Sequence, residues 1–302
     1  MAIVAGGLAL ILACRLSLAA PAEENPKPTA KPTPVRVQTS DDPVRAILDA
    51  GWQELRFANW PKAQETFEKA APPYGLAGRR EHQAEAMFGL ANLWQIRQPG
   101  GDQERARRLY EQIVGEFADT PAAPWAHLGL ARLADTPEYE KQRNVELARK
   151  LYGEMIRAYP DHPATDEAAL RLGMTYTENV GDRQAEDAGT TVIERRLAER
   201  PTNYLASAMH IVVGDVAQRR GDFRKAVDNW IAADSKGGVT NTPDRAILYH
   251  KIAHTAENDL KDYALAATWY ERIVTDVKRD NRYYVSKLGA ERCRRLAAEA
   301  RP

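Results

Sequence analysis

Cysteine is nearly absent: Cys14 and Cys293 are the only two in 302 residues. If the chain is cleaved before residue 21, only Cys293 remains and no intramolecular disulfide is possible, so the folded chain must then be held by packing. Charge of one sign is absent too, because Lys+Arg and Asp+Glu both number 42. Without a basic excess there is no field to draw the chain onto a polyanion, and nucleic-acid binding is not expected. No apolar run reaches the length of a usual membrane span. What is present, 44% hydrophobic and 28% charged residues, is the composition of a soluble protein with a sizeable core.

The N-terminus departs from that average. In "MAIVAGGLALILACRLSLAAPAEE" the residues Ala2 to Ala13 are uncharged and apolar. Small residues that suit signal peptidase follow, with cleavage after Ala19 or Ala22. Residues 1–20 are therefore expected to be a signal peptide or a membrane anchor, since no Lys or Arg precedes the run. "ILAC" also resembles a lipobox, which would lipidate Cys14. Export to the periplasm, free or anchored facing it, is the localisation expected, with membrane association through this segment alone. Residues 21–43 carry prolines at 21, 26, 28, 32, 34 and 43 and are expected to be a disordered, solvated linker.

From residue 44 to 302 the pattern changes. "ARKLYGEMIRAY" places Ala148, Leu151, Tyr152, Met155, Ile156 and Tyr159 on one face of a helix. "YPDHP" then breaks it, and a second helix is predicted from about Thr165. The same small-then-large step, four residues apart, recurs at Ala63/Phe67, Ala106/Tyr110, Ala226/Trp230 and Ala266/Tyr270, and more weakly at Gly189/Ile193. Between these fall Gly51, Gly89, Gly129, Gly173, Gly214, Ala253 and Gly289, each after an apolar or small residue. The unit is a repeated helix pair. Its physical logic is close approach, a small residue on one helix making room for the large side chain of its neighbour.

"WAHLG" (125–129), followed by Ala148, Tyr152 and Pro160, resembles the tetratricopeptide pattern, as do "LGMTY" (172–176), "GWQELRFANWPKAQETF" (51–67) and "GDVAQRRGDFRKAVDNW" (214–230). The resemblance covers residues 44 to about 299 and implies an all-α solenoid of about six antiparallel helix pairs plus a capping helix, near 283–299. The repeats are long and irregular. "IRQPGGDQE" and "DTPEYEKQRN" are expected to lengthen two turns, and the fourth repeat is degenerate. In style the repeats are similar to exported helical-repeat proteins of the bacterial cell envelope.

In the family, the first helix of each pair lines a concave groove. Carried over, that surface reads Leu48, Trp52, Leu55, Leu90, Leu93, Trp94, Leu130, Leu133 and Met174 in the N-terminal half, and Asp215, Gln218, Arg219, His250, His254, Glu257 and Arg294 in the C-terminal half. The resemblance thus implies a non-enzymatic adaptor that holds a protein or peptide partner in a partly apolar groove. The alternatives are burial of those residues as core by a tighter superhelix, or permanent self-association through the same face into a homo-oligomer.

Chemistry finds little footing. In "HKIAHTAE", His250, His254 and Glu257 fall on one helix face and could hold zinc. Lys251 stands where the zinc-protease pattern needs Glu, so the residues read more simply as surface histidines and no metal or cofactor is expected. The pairs Arg195-Arg196, Arg219-Arg220 and Arg294-Arg295 read as solvated faces. "QPGGD" (98–102) lacks the Lys and Ser/Thr of a phosphate loop and reads as a turn. Cys293 has no local partner that would make it a nucleophile. No catalytic set emerges.

Overall fold

A computed structural model describes residues 42–71, 79–97, 100–137 and 142–300. The export segment, Cys14 and most of the proline-rich linker lie outside the described residues. Within them are thirteen helices and no strand. They are α1 (Pro43–Arg56), α2 (Trp60–Glu68), α3 (Arg80–Ile96), α4 (Gln103–Glu116), α5 (Ala122–Asp135), α6 (Val145–Ala158) and α7 (Pro163–Thr177). The series continues with α8 (Arg183–Glu199), α9 (Ala206–Arg219), α10 (Phe223–Ser235), α11 (Thr242–Asn258), α12 (Tyr263–Asp276) and α13 (Tyr283–Glu299). Six helix pairs and a closing helix form an all-α solenoid. α7 begins at Pro163, two residues before Thr165, because a proline at the first helical position gives up no hydrogen bond.

The even-numbered helices from α4 to α12 start alike. Asp102, Asn144, Asp182, Asp222 and Asp262 each accept the backbone N–H three residues on, at 2.8 to 3.2 Å. These caps satisfy donors that a helix start leaves bare. Four residues past the cap comes the small residue, and eight past it the large one, as in Asp102, Ala106 and Tyr110. α8 breaks the register. Counting from Asp182, Glu186 stands where Ala is due and Thr190 where the aromatic is due. The helix continues to Ile193, and that side chain takes the aromatic's place. This is the physical content of the degenerate fourth repeat.

The packing follows the small-to-large logic. A Cβ added at Gly129 would sit 2.5 Å from Cζ of Tyr110. At Gly173 it would meet Ile193 at 2.5 Å, and at Gly214 it would meet Trp230 at 2.6 Å. Phe67 of α2 is met in the same way from both Gly51 and Gly89, so one ring is clamped between its own pair and the next. Gly189 lets backbones close, since a Cβ there would lie 2.6 Å from the carbonyl oxygen of Gly173.

Successive odd-numbered helices from α1 to α9 also touch one another, whereas even-numbered helices are not packed on each other to the same degree among the described residues. The odd-numbered set is therefore the inner layer of the superhelix. Two connections in the pairs are long, 97–102 and 136–144, as the inserts imply. Arg143 from the second reaches back to Asp135 at 2.9 Å and pairs with Glu178.

Candidate functional site

The inner layer is where a partner would lie, and its character changes along the chain. Around α5 and α7 it is shut. Every residue from Ala164 to Leu170 is buried, and a run of seven on a helix spans all of its faces. α7 is packed by α5, α6, α8 and α9. Charges complete the closure: Arg132 of α5 donates through Nε to Glu167 at 2.8 Å, and Arg171 also pairs with Glu167. Although burial works against it, Arg132 and Arg171 hold the Glu167 carboxyl below the usual range. Nearby, Asp166 is 1% exposed and its partner Arg196 is 4% exposed, with Arg196 also donating to the Pro160 carbonyl at 2.7 Å.

This corrects the apolar groove. Leu48, Leu90, Leu93 and Leu133 are buried core, because contacts between successive odd-numbered helices cover the positions that an open superhelix would expose. Trp52, Leu55 and Leu130 are half-buried and packed on that core. The Trp52 Nε1 donates to Glu85 at 2.8 Å, and its ring lies edge-on to Phe67 with centroids 5.1 Å apart. Arg45 grips the same carboxylate with two bonds of 2.7 Å. Trp94 is half-buried on the same core, with the Arg105 guanidinium of α4 4.2 Å above its ring. Met174 is half-buried against the Leu170 and Ile193 cluster. Trp52 and Trp94 are thus structural residues, and their replacement would test stability before binding.

Past α8 the layer opens. Half-buried Ile211, Val212, Asp215 and Gln218 on α9 continue into Ile247, His250, Lys251 and His254 on α11, of which Ile247 is 42% exposed and His254 is exposed. The His250 and His254 rings stack with centroids 5.9 Å apart. Burial pushes His250 below the usual imidazole range, with the neighbouring His254 adding to it. Glu257 does not join them. It is buried, accepts the Tyr270 hydroxyl proton at 2.9 Å, and takes Arg292 Nε and Nη2 at 2.6 and 2.8 Å. With both oxygens engaged by protein donors, the carboxylate is committed and the zinc reading fails on geometry. No group of three His, Cys, Asp or Glu side chains is placed to hold a metal ion among the described residues.

Glu257 belongs to a set that spacing alone did not reveal. On four even-numbered helices the aromatic's polar tip finds an acceptor on the odd-numbered helix of its own pair. Tyr110 donates to Gln95 at 2.8 Å, Tyr152 to Asp135 at 3.1 Å, Trp230 to Asp215 at 2.9 Å and Tyr270 to Glu257. A cation from the next odd-numbered helix often binds the same acceptor, as Lys251 does at Asp215, 2.7 Å away. Arg219 and Arg220 are not free faces either. Both serve Glu186, which is 2% exposed, and Arg219 also reaches the Thr177 carbonyl at 3.2 Å. Arg196 is likewise interior, while Arg294 sits on the surface with Glu271. Gly100 has a φ of 92°, and Asp102 caps α4, so the described part of "QPGGD" is a turn. Cys293 is fully buried, and burial together with Glu257 pushes its thiol up to about 11, the opposite of an activated nucleophile.

The fold and this inner surface define the class: a helical-repeat solenoid. No protein-family model matches the sequence, and no curated protein matches it. Among solved structures the chain is similar to the assembly chaperone of RpL4 (Acl4, residues 1–338), with 16% identity and a TM-score of 0.48, over 85% of this chain and 97% of that one. A likeness at that level says nothing about what this chain binds.

Proposed function

We propose that the chain is a non-enzymatic adaptor of the tetratricopeptide type, exported to the cell envelope, which holds a protein or peptide partner on the inner strip of α9 and α11 and serves envelope assembly or maintenance. The observation that carries the binding surface is the opening of the inner layer after α8, where exposed Ile247 and His254, with half-buried His250 between them, present apolar and polar groups together. Mixed surfaces of this kind suit an amphipathic or extended segment. Export and tethering rest on the sequence of residues 1–43.

The test is photo-crosslinking in the native host. A crosslinking residue at position 247 or 254 of the full-length chain is expected to give one dominant adduct, and the same residue at Glu111 on the outer side of α4 should give none. Self-adducts alone would make the strip a self-association face. Equal adducts at all three positions would remove the inner-strip reading. An enzyme reporter active only after export, fused at residue 43, checks the localisation; an inactive but stable fusion would overturn it.

A further inference from the structure

α13, the last described helix, carries an apolar face that no other described helix covers. α13 packs on α12, with Gly289 against the Tyr270 ring. On the opposite side Tyr284 is 67%, Val285 60% and Leu288 46% exposed. Tyr284 and Leu288 lie one turn apart, and the line continues through Glu291 and Arg295, at spacings that keep one face of a helix. The end helix of a solenoid ordinarily turns a polar face outward to remain soluble. At the other end the exposed side chains within α1, past its first residue, are polar or small, Ala46, Asp49, Ala50, Gln53 and Arg56, and Phe57 is exposed just past the helix. α13 does the reverse, and an apolar patch rimmed by charge marks an interaction site.

The rim selects the occupant. Lys278 and Arg279, in the turn leading into α13, are exposed beside the Tyr284 end, and exposed Lys287 borders the strip. Nearby carboxylates are largely neutralised within the chain: Asp280 pairs with Arg282 at 3.0 Å, and Glu271 pairs with Arg294. Arg292 is held by Glu257. Arg295 pairs with Glu299 at 3.9 Å, which leaves Glu291 on the line against Lys278, Arg279 and Lys287. We propose that this end of the solenoid is a docking surface for an acidic amphipathic helix of a partner protein. Its apolar side would lie on Tyr284, Val285 and Leu288, and its carboxylates would face Lys278, Arg279 and Lys287. That helix would stack on α13 as an even-numbered helix stacks on every earlier odd-numbered one. The proposal rests on the adaptor reading and adds a second contact, distinct from the strip on α9 and α11.

The full-length chain is titrated with two fluorescent synthetic peptides that share one leucine face, one bearing glutamates on the other face and the other bearing lysines. The glutamate peptide is expected to bind at least about tenfold more tightly, with the margin shrinking at high salt. Leu288→Asp should abolish binding of both, and Lys278→Glu with Arg279→Glu and Lys287→Glu should reverse the preference. All four side chains are exposed, and unchanged circular dichroism confirms that the variants fold. Equal affinity for the two peptides, or binding that survives Leu288→Asp, would overturn the proposal. So would a concentration-dependent dimer that Leu288→Asp dissolves, because the occupant would then be a second copy. Crosslinking at position 254 keeps the two readings apart. Adducts there without peptide selectivity at α13 sink this proposal alone, and selectivity without adducts sinks the inner-strip reading alone.

Discussion

α7 and α11 hold equivalent places in the repeat, yet one is sealed and the other is open. Both carry the small residue of the pattern: Gly173 meets Ile193 of the following helix, and Ala253 shares a core cluster with Tyr270 of the following helix. Within each pair, then, packing is uniform. The difference arises between pairs. α7 is pressed by α5 and α9, and its neighbourhood is closed by Arg132, Glu167, Arg171, Asp166 and Arg196. On α11 the cation Lys251 instead reaches across to Asp215 and leaves His250 and His254 beside solvent. A repeat motif therefore specifies the pair, while curvature decides which face of the pair is surface.

The strongest way to break this contrast is inside the sealed region. Arg196→Met together with Arg200→Met should cost roughly 3 to 5 kcal/mol, because it strips the buried Asp166 of both its cations; urea denaturation would measure it, and a loss under about 1 kcal/mol would mean that water reaches this site. Next comes a matched truncation. Leu133→Ala should cost about 2 to 5 kcal/mol, while Ile247→Ala on the open strip should stay within about 0.5 kcal/mol. Equal losses would erase the distinction between closed and open stretches.

The uniformity within pairs has its own test. Gly129→Ala and Gly214→Ala should each cost about 1 to 3 kcal/mol, since the new methyl meets Tyr110 or Trp230. Gly115→Ala, where nothing lies within 4 Å, should instead stabilise by about 0.5 to 1 kcal/mol. The smallest effect is in pH. Burial lowers His127, His162 and His250 below their ordinary value of 6.5, and Nδ1 of His162 accepts the Ala164 N–H at the start of α7. The folded chain then binds fewer protons than the unfolded one, so stability is full above pH 6.5 and falls as pH drops through the lowered values. His162→Asn keeps an acceptor for the cap and should flatten that slope in melting curves taken between pH 7.5 and 5; an unchanged slope would remove His162 as a contributor.

Much of the fold was legible because it depends on local spacing. Ala148 and Tyr152, or Gly129 and its neighbours, are close in sequence, and their roles follow from helix geometry. The last helix and the inserted turns could be read for the same reason. The site was less legible. Whether Leu90 and Leu133 face a groove or a neighbouring helix depends on superhelical pitch, which no single repeat encodes. Arg196 looked solvated because its partner, Asp166, is thirty residues away. The acceptors of the aromatic tips were hidden by variable spacing, 15, 17, 15 and 13 residues before Tyr110, Tyr152, Trp230 and Tyr270. One signal was present and unread: Asp or Asn four residues before the small residue, which marks the start of an even-numbered helix and exposes the shifted register of α8.

The described helices form substantial contacts only with helices one or two places away along the chain. Such a body has no keystone. Contacts close over short stretches of sequence, so folding can begin at any pair and spread, at little entropic cost of loop closure. A pull delivered through the segment before α1 would reach the clasp of Arg45 on Glu85 first, and the molecule would lengthen one pair at a time, each step leaving the remainder intact.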